Sequence, residues 1–234
     1  MYEWRGRPLK GVLFDLDGTL FDTLADIASA LNAAIGSLGW QPFAAEEVRR
    51  MIGRGSPILI QRAAAARGQS LDAVADDRLL QLFFRFYEEL EQSGRSSAVP
   101  YAGAAEILSR LHRDGVGTAV VTNKQRRFAV ALIESRGFSD WIDVIVGGDS
   151  CERRKPDPQP LLFACSEIKA SPTECLMVGD SSNDVEAARG AGIPVICVSY
   201  GYNEGRDPST LGSDALIDSL ADLPALIVAA TSAQ

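Results

Sequence analysis

The stretch Gly11–Leu20, GVLFDLDGTL, decides how the rest of the chain is read. Gly11-Val12-Leu13-Phe14 has the composition of a short buried strand. It runs into Asp15 and Asp17, then into Gly18, where a strand can end in a turn. Alternation along an extended chain points the two carboxylates the same way. At about 4 Å such a pair costs on the order of 4 kcal/mol at an effective dielectric near 20. A cation is expected between them.

The surrounding sequence alternates in a way that fixes the fold class. From Pro100 onward, apolar runs at Gly115–Val121, Val144–Val146, Leu176–Val178, Val195–Val198 and Ala215–Ile217 read as strands. Amphipathic segments at Ala104–Arg113, around Phe128–Ile133 and at Pro158–Ile168 read as helices between them, and a final helix is expected through Leu223, Leu226 and Ile227. Short apolar strands alternating with helices imply an α/β, Rossmann-like three-layer core: a parallel sheet covered on both faces. Between the first strand and this series, residues 24–95 contain no β-rich run. Four helices are expected there, carried by Leu24–Leu38, the EEVRRMIG segment, Ser56-Pro57 to Arg67, and the Leu79–Leu90 stripe. The expected domains are therefore a core at 1–20 and 98–234 and an inserted helical cap at 21–97.

Composition narrows the function. The 234 residues are 46% hydrophobic and 23% charged, as in a soluble globular protein. A net charge of −8 with no basic cluster excludes nucleic acid as a partner. The apolar runs fall short of the roughly 20 residues a membrane helix needs, so no membrane partner is expected. The N-terminal residues are polar and of mixed charge, unlike a secretory signal. Cys151, Cys165, Cys175 and Cys197 have no CxxC spacing and read as reduced thiols of a cytoplasmic protein.

Strand ends hold the chemistry, because ligands of open α/β sheets bind at the carboxyl edge. Asp15, Asp17, Thr122, Asn123 and Asp180 all follow apolar runs, and Lys155 stands ahead of a helix in RRKPDP. Several carboxylates without His or Cys suit Mg²⁺, held by Asp15, Asp180 and the backbone carbonyl of Asp17. Asp15, first out of the strand, is the candidate nucleophile. Asp17 is the candidate acid and base. Thr122, Asn123 and Lys155 would hold a transferring phosphoryl group. Asp184 would orient Lys155 or a metal-bound water, and Gly18 supports the turn. Lys124 and the single histidine, His112, read as surface residues.

DLDGTLFDT at Asp15–Thr23, the Thr122 strand end, KPDP at Lys155 and GDSSND at Gly179–Asp184 resemble, in order, the motifs of the haloacid dehalogenase superfamily. IGRGSP at Ile52–Pro57, VVTNK at Val120–Lys124, VIVGGD at Val144–Asp149 and YGYNEG at Tyr200–Gly205 resemble its phosphoglycolate phosphatase family. The resemblance implies Mg²⁺-dependent hydrolysis of a small-molecule phosphate ester, 2-phosphoglycolate, by a monomer or homodimer. The presence of Asp17 disfavours dehalogenation. Arg54, in the IGRGSP loop, would meet the substrate's far end. The alternatives are another small phosphatase or a β-phosphoglucomutase-like phosphotransferase. A binding protein on an inactive core would have lost a motif residue, and none is lost.

Overall fold

In the computed structural model, residues 2–229 are described. The chain opens with a hairpin, β1 (Tyr2–Trp4) and β2 (Arg7–Leu9), turned by Arg5 and Gly6, both at positive φ. Two consecutive positive-φ residues are what a two-residue hairpin turn with strand-compatible twist requires. Next come β3 (Gly11–Phe14) and β4 (Phe21–Asp22), then helices α1 (Leu24–Gly36), α2 (Ala45–Arg49), α3 (Ser56–Ala66) and α4 (Ala73–Gln92). The chain returns through β5 (Val99–Pro100) and continues as α5 (Ala104–Arg113), β6 (Gly117–Val121), α6 (Arg126–Ser135) and β7 (Val144–Val146). It ends with α7 (Gln159–Glu167), β8 (Cys175–Gly179), α8 (Ser182–Ala191), β9 (Val195–Val198), β10 (Ala215–Ile217), α9 (Leu223–Leu226) and β11 (Ile227–Ala229).

Six strands form one parallel sheet in the order β10-β9-β8-β3-β6-β7. Alternate residues of β3 face opposite layers, as the period of a strand demands. Val12 and Phe14 join the cluster of α5 and α6 through Ile107, Leu111 and Leu132. Leu13 joins that of α7 and α8 through Leu161, Cys165 and Ala188. The predicted three-layer Rossmann-like core is the observed one. Central β3 pairs with β6 on one side and β8 on the other, with Phe14 opposite both Val120 and Val178. The loops after these strands therefore open side by side, at the point where the chain switches direction across the sheet.

Helices α1–α4 bury an apolar cluster of their own, built on Leu31, Ile35, Ile60, Leu79, Phe83 and Tyr87, into which Phe128 and Tyr202 also pack. The chain leaves and re-enters the sheet region along the antiparallel pair β4–β5. Ser56 is the first residue of α3 rather than its cap; Gly55, at φ +81, precedes it.

The expected C-terminal helix is a correction. α9 spans only Leu223–Leu226, and β11 then pairs antiparallel with β1, Tyr2 opposite Ala229 and Trp4 opposite Ile227. The buried Tyr2 and Trp4 make the N-terminal segment part of the core. A short apolar run such as LPALIVAA is compatible with either state locally, so the available edge strand decides.

Candidate active site

Asp15 leaves β3 into a turn where Gly18 adopts φ +89. A Cβ on Gly18 would sit 2.6 Å from Asp180 Oδ2 and 3.0 Å from the Tyr202 ring, so this glycine is required twice over, by conformation and by space. Thr19 Oγ1 donates to Asp180 Oδ1 at 3.0 Å, and the Tyr202 amide donates to Asp180 Oδ2. Asp180 is thus held by the β3 turn and by the loop after β9.

Asp15, Asp180 and Asp184 each present a carboxylate oxygen, all within 4.8 Å of one another. Lys155 is their counter-ion. Its Nζ donates to Asp184 Oδ1 and to the Val121 carbonyl, both at 2.6 Å, and lies 2.9 Å from Asp15 Oδ1. Burial pushes the Asp15 carboxyl up to about 6 against the pull of Lys155, with Asp184 and Asp17 adding to the rise. Burial, with Asp15 and Asp184, holds Asp180 well above the usual carboxylate range. Burial would lower the Lys155 pKa, but Asp15 and Asp184 overcome it and hold the ammonium above its ordinary value. One lysine against three carboxylates leaves the cluster acidic.

That excess fits a divalent cation. Among the described residues, Ser182 Oγ and both amide atoms of Asn183, next to this cluster in the chain, are buried without a hydrogen-bond partner. Unsatisfied polar atoms around an acidic cluster suit a hydrated ion. An all-oxygen set favours Mg²⁺ over a softer metal. Asp184 is more fully engaged: its Oδ2 accepts from the Asp180 and Ser181 amides and the Ser181 hydroxyl at 3.2, 3.0 and 2.7 Å.

Asp17 lies apart from this group. Its carboxylate accepts from Thr23 Oγ1 at 2.7 Å and from Lys124 Nζ at 3.1 Å. The two carboxylates of DLD therefore do not share one lysine; each faces its own. Lys124, expected on the surface, is buried, with its Nζ 4.4 Å from the centre of the Tyr87 ring. Burial would lower its pKa, but Asp17 and Tyr87 outweigh it and the group stays charged. His112 is exposed.

Asp15, Asp17, Thr122, Asn123 and Lys124 form the polar wall of a cavity open to solvent. Ile27, Ile52, Leu59, Phe83, Tyr87 and Phe128 form an apolar wall, chiefly from the helical unit. Asn123 Nδ2 donates to the carbonyls of Gly53 and Lys155, both at 3.0 Å, so its side chain fastens two loops together. Arg54 is not on the cavity wall. Its Nε lies 3.5 Å from Glu204 Oε1, which Arg62 also engages at 2.6 Å. Tyr202 went unread in the sequence; its hydroxyl accepts from the Thr23 and Leu24 amides and donates to Asp22 Oδ1, joining the entry to α1 to the Asp180 loop. Nothing local in YGYNEG signals a partner about 180 residues away.

A family model described as haloacid dehalogenase-like hydrolase matches residues 12–198. The chain belongs to that family, and it is an enzyme. Within the family it resembles the phosphoglycolate phosphatases. The phosphoglycolate phosphatase of Nitrosospira multiformis is 41% identical over 221 residues, covering 94% of this chain and 96% of that protein. The crystal structure of a predicted phosphoglycolate phosphatase from Haemophilus somnus has a TM-score of 0.86 at 30% identity, covering 92% of this chain and 96% of that one. A CbbY variant from Rhodobacter sphaeroides, in complex with xylulose-(1,5)bisphosphate, has a TM-score of 0.78 at 25% identity, over 92% and 96% of the two chains.

Proposed function

We propose that the chain is a phosphatase that hydrolyses 2-phosphoglycolate to glycolate and phosphate through an aspartyl phosphate on Asp15. The observation that carries this reading is the separation of the DLD pair. Asp15 stands in the acidic cluster beside Lys155, and Asp17 lines the cavity beside Thr122 and Lys124. Two carboxylates in different environments suit two different tasks.

In the first step an Asp15 oxygen attacks phosphorus, the P–O bond to the alcohol breaks, and Asp17 gives the leaving oxygen its proton. In the second, Asp17 takes a proton from water as the water oxygen attacks the same phosphorus, releasing phosphate and restoring the Asp15 carboxylate. Thr122 and the loop amides after β6 would hold phosphoryl oxygens, and Lys155 balances the charge on Asp15. Asp15, Asp180 and the Asp17 carbonyl, braced by Asp184, would hold Mg²⁺, which neutralises charge on the nucleophile and the phosphoryl group. Residues 21–97 act as a cap that supplies the apolar wall and limits water. We place the protein in the cytoplasm, as a monomer or homodimer acting on a small phosphate ester.

Phosphate release from a panel of acid and sugar phosphates with Mg²⁺ tests the substrate. If 2-phosphoglycolate ranks among the poorest, the substrate is wrong while the chemistry stands. Borohydride reduction during turnover tests the covalent step: it should convert Asp15 to homoserine, and an unmodified Asp15 would rule the intermediate out. The sugar bisphosphate held by the CbbY neighbour supports a second reading, a larger sugar phosphate as substrate or as phosphotransfer partner. Dependence of turnover on an added bisphosphate would favour it.

A further inference from the structure

The cavity has an apolar wall, yet a buried ammonium and a buried phenol are both built into its lining. The other nearby cations are committed elsewhere. Lys155 divides its donors among Val121, Asp184 and Asp15, and Arg54 lies 3.5 Å from Glu204, off the cavity lining. Lys124 reaches both Asp17 oxygens, at 3.1 and 3.4 Å, and lies against Tyr87, with its charge on the cavity wall. Tyr87, on α4, is 1% exposed, and its hydroxyl has no hydrogen-bond partner among the described residues. A buried hydroxyl with no hydrogen-bond acceptor is costly to fold, so a retained one calls for an acceptor that arrives later.

We infer that Lys124 and Tyr87 together form the receptor for a carboxylate at the non-transferred end of the substrate. A carboxylate is acceptor-only and negative, so it can take the phenolic O–H and an ammonium N–H at once. Ile52, Leu59, Phe83 and Phe128 surround the pair with apolar groups, where such contacts weaken least to solvent. The two residues come from opposite sides, Lys124 from the loop after β6 and Tyr87 from the helical unit. An acid phosphate would thus bridge the sheet edge and the helices, which a neutral ester of the same length could not do. The assignment rests on the phosphatase reading above and gives its substrate class a physical cause. It also moves recognition of the substrate's far end from Arg54 to Lys124.

The test compares 2-phosphoglycolate with 2-hydroxyethyl phosphate, which replaces the carboxylate by a neutral alcohol, in the full-length Mg²⁺-loaded enzyme. The wild type should prefer the acid ester, and Lys124→Met should cut that preference in kcat/KM on the order of 100-fold, mainly through KM. Tyr87→Phe should cut it about 10-fold. Lys124→Arg should restore part of it. Competitive inhibition by glycolate against 2-hydroxyethyl phosphate should weaken in the same order. Tyr87→Phe keeps the ring against Lys124 and removes one oxygen, and it carries the test if Lys124→Met fails to fold. If the variants lose activity on both esters equally, Lys124 serves Asp17 alone and the receptor is refuted. A wild type that hydrolyses other phosphates but not 2-phosphoglycolate refutes the substrate reading, and the receptor falls with it.

Discussion

Lys155 is an ammonium between buried acids, and its removal leaves Asp15 and Asp184 facing one another without compensation. Breaking a buried pair from one side costs about 3–5 kcal/mol. Lys155→Met is therefore expected to lower stability by that order in metal-free urea unfolding, with the loss partly recovered by Mg²⁺. An unchanged midpoint would show that the cluster does not need its lysine. Asp15→Asn keeps the shape and removes the proposed nucleophile. Turnover should fall on the order of 10³-fold or more, with folding intact by circular dichroism. Asp17→Asn should reduce kcat about 10²–10⁴-fold, the range of a lost proton-transfer group. A covalent Asp15 adduct that builds up in this variant but not in the wild type would separate the second step from the first. DLD was legible as a candidate catalytic pair because its spacing and its place at a strand end are local. Which lysine each aspartate faces was not legible, because Lys124 and Lys155 lie more than 100 residues away in sequence.

At the scale of elements, the crossing between sheet and helices is held by one carboxylate. Asp26, 1% exposed on α1, accepts from the Ser96 and Ser97 hydroxyls and the Ser97 amide at 2.6, 2.7 and 2.8 Å, and from the Ala98 amide at 3.3 Å. This ties the start of the helical unit to its exit, beside the β4–β5 pair. Asp26→Ala would strand buried donors and should cost about 3 kcal/mol in urea unfolding. A loss under 1 kcal/mol would mean that solvent replaces the carboxylate. The polar segment Ser93–Ser97 has the composition of a linker, yet Ser96 and Ser97 are anchors, because Asp26 reaches them. Tyr87 was hidden for a related reason. It follows Phe83 at helical spacing and packs with it, so its pattern is that of a core residue. Only the unpaired hydroxyl at the cavity wall distinguishes it.

For the whole molecule, the acidic cluster links stability to pH and to metal. The Asp15 carboxyl is raised from 3.8 to about 6 in the folded protein. A carboxyl pKa raised on folding contributes stability below the unfolded value and loses it as pH rises through the folded one. Metal-free protein should therefore lose stability between about pH 4 and pH 7, where the cluster ionises. A divalent cation held there would bind the ionised form, so Mg²⁺ should raise the melting temperature more at pH 7.5 than at pH 5. Asp180→Asn should abolish most of the difference. An equal shift at both pH values, or in the variant, would place the cation elsewhere.

Residue order alone determined the parallel sheet, the helical insertion after β3 and the collection of Asp15, Thr122 and Asp180 at one sheet edge. These follow from hydrophobic periodicity and from strands that end in polar residues, which are local properties. The tertiary structure decided how the charges pair: Lys155 with Asp15 and Asp184, Lys124 with Asp17, and Arg54 with Glu204 instead of the cavity. It also turned the last apolar run into a strand, because the N-terminal hairpin offered it an edge. An ion pair or an edge pairing depends on where distant side chains and strands arrive in space, and that is set by the packing of all the layers together.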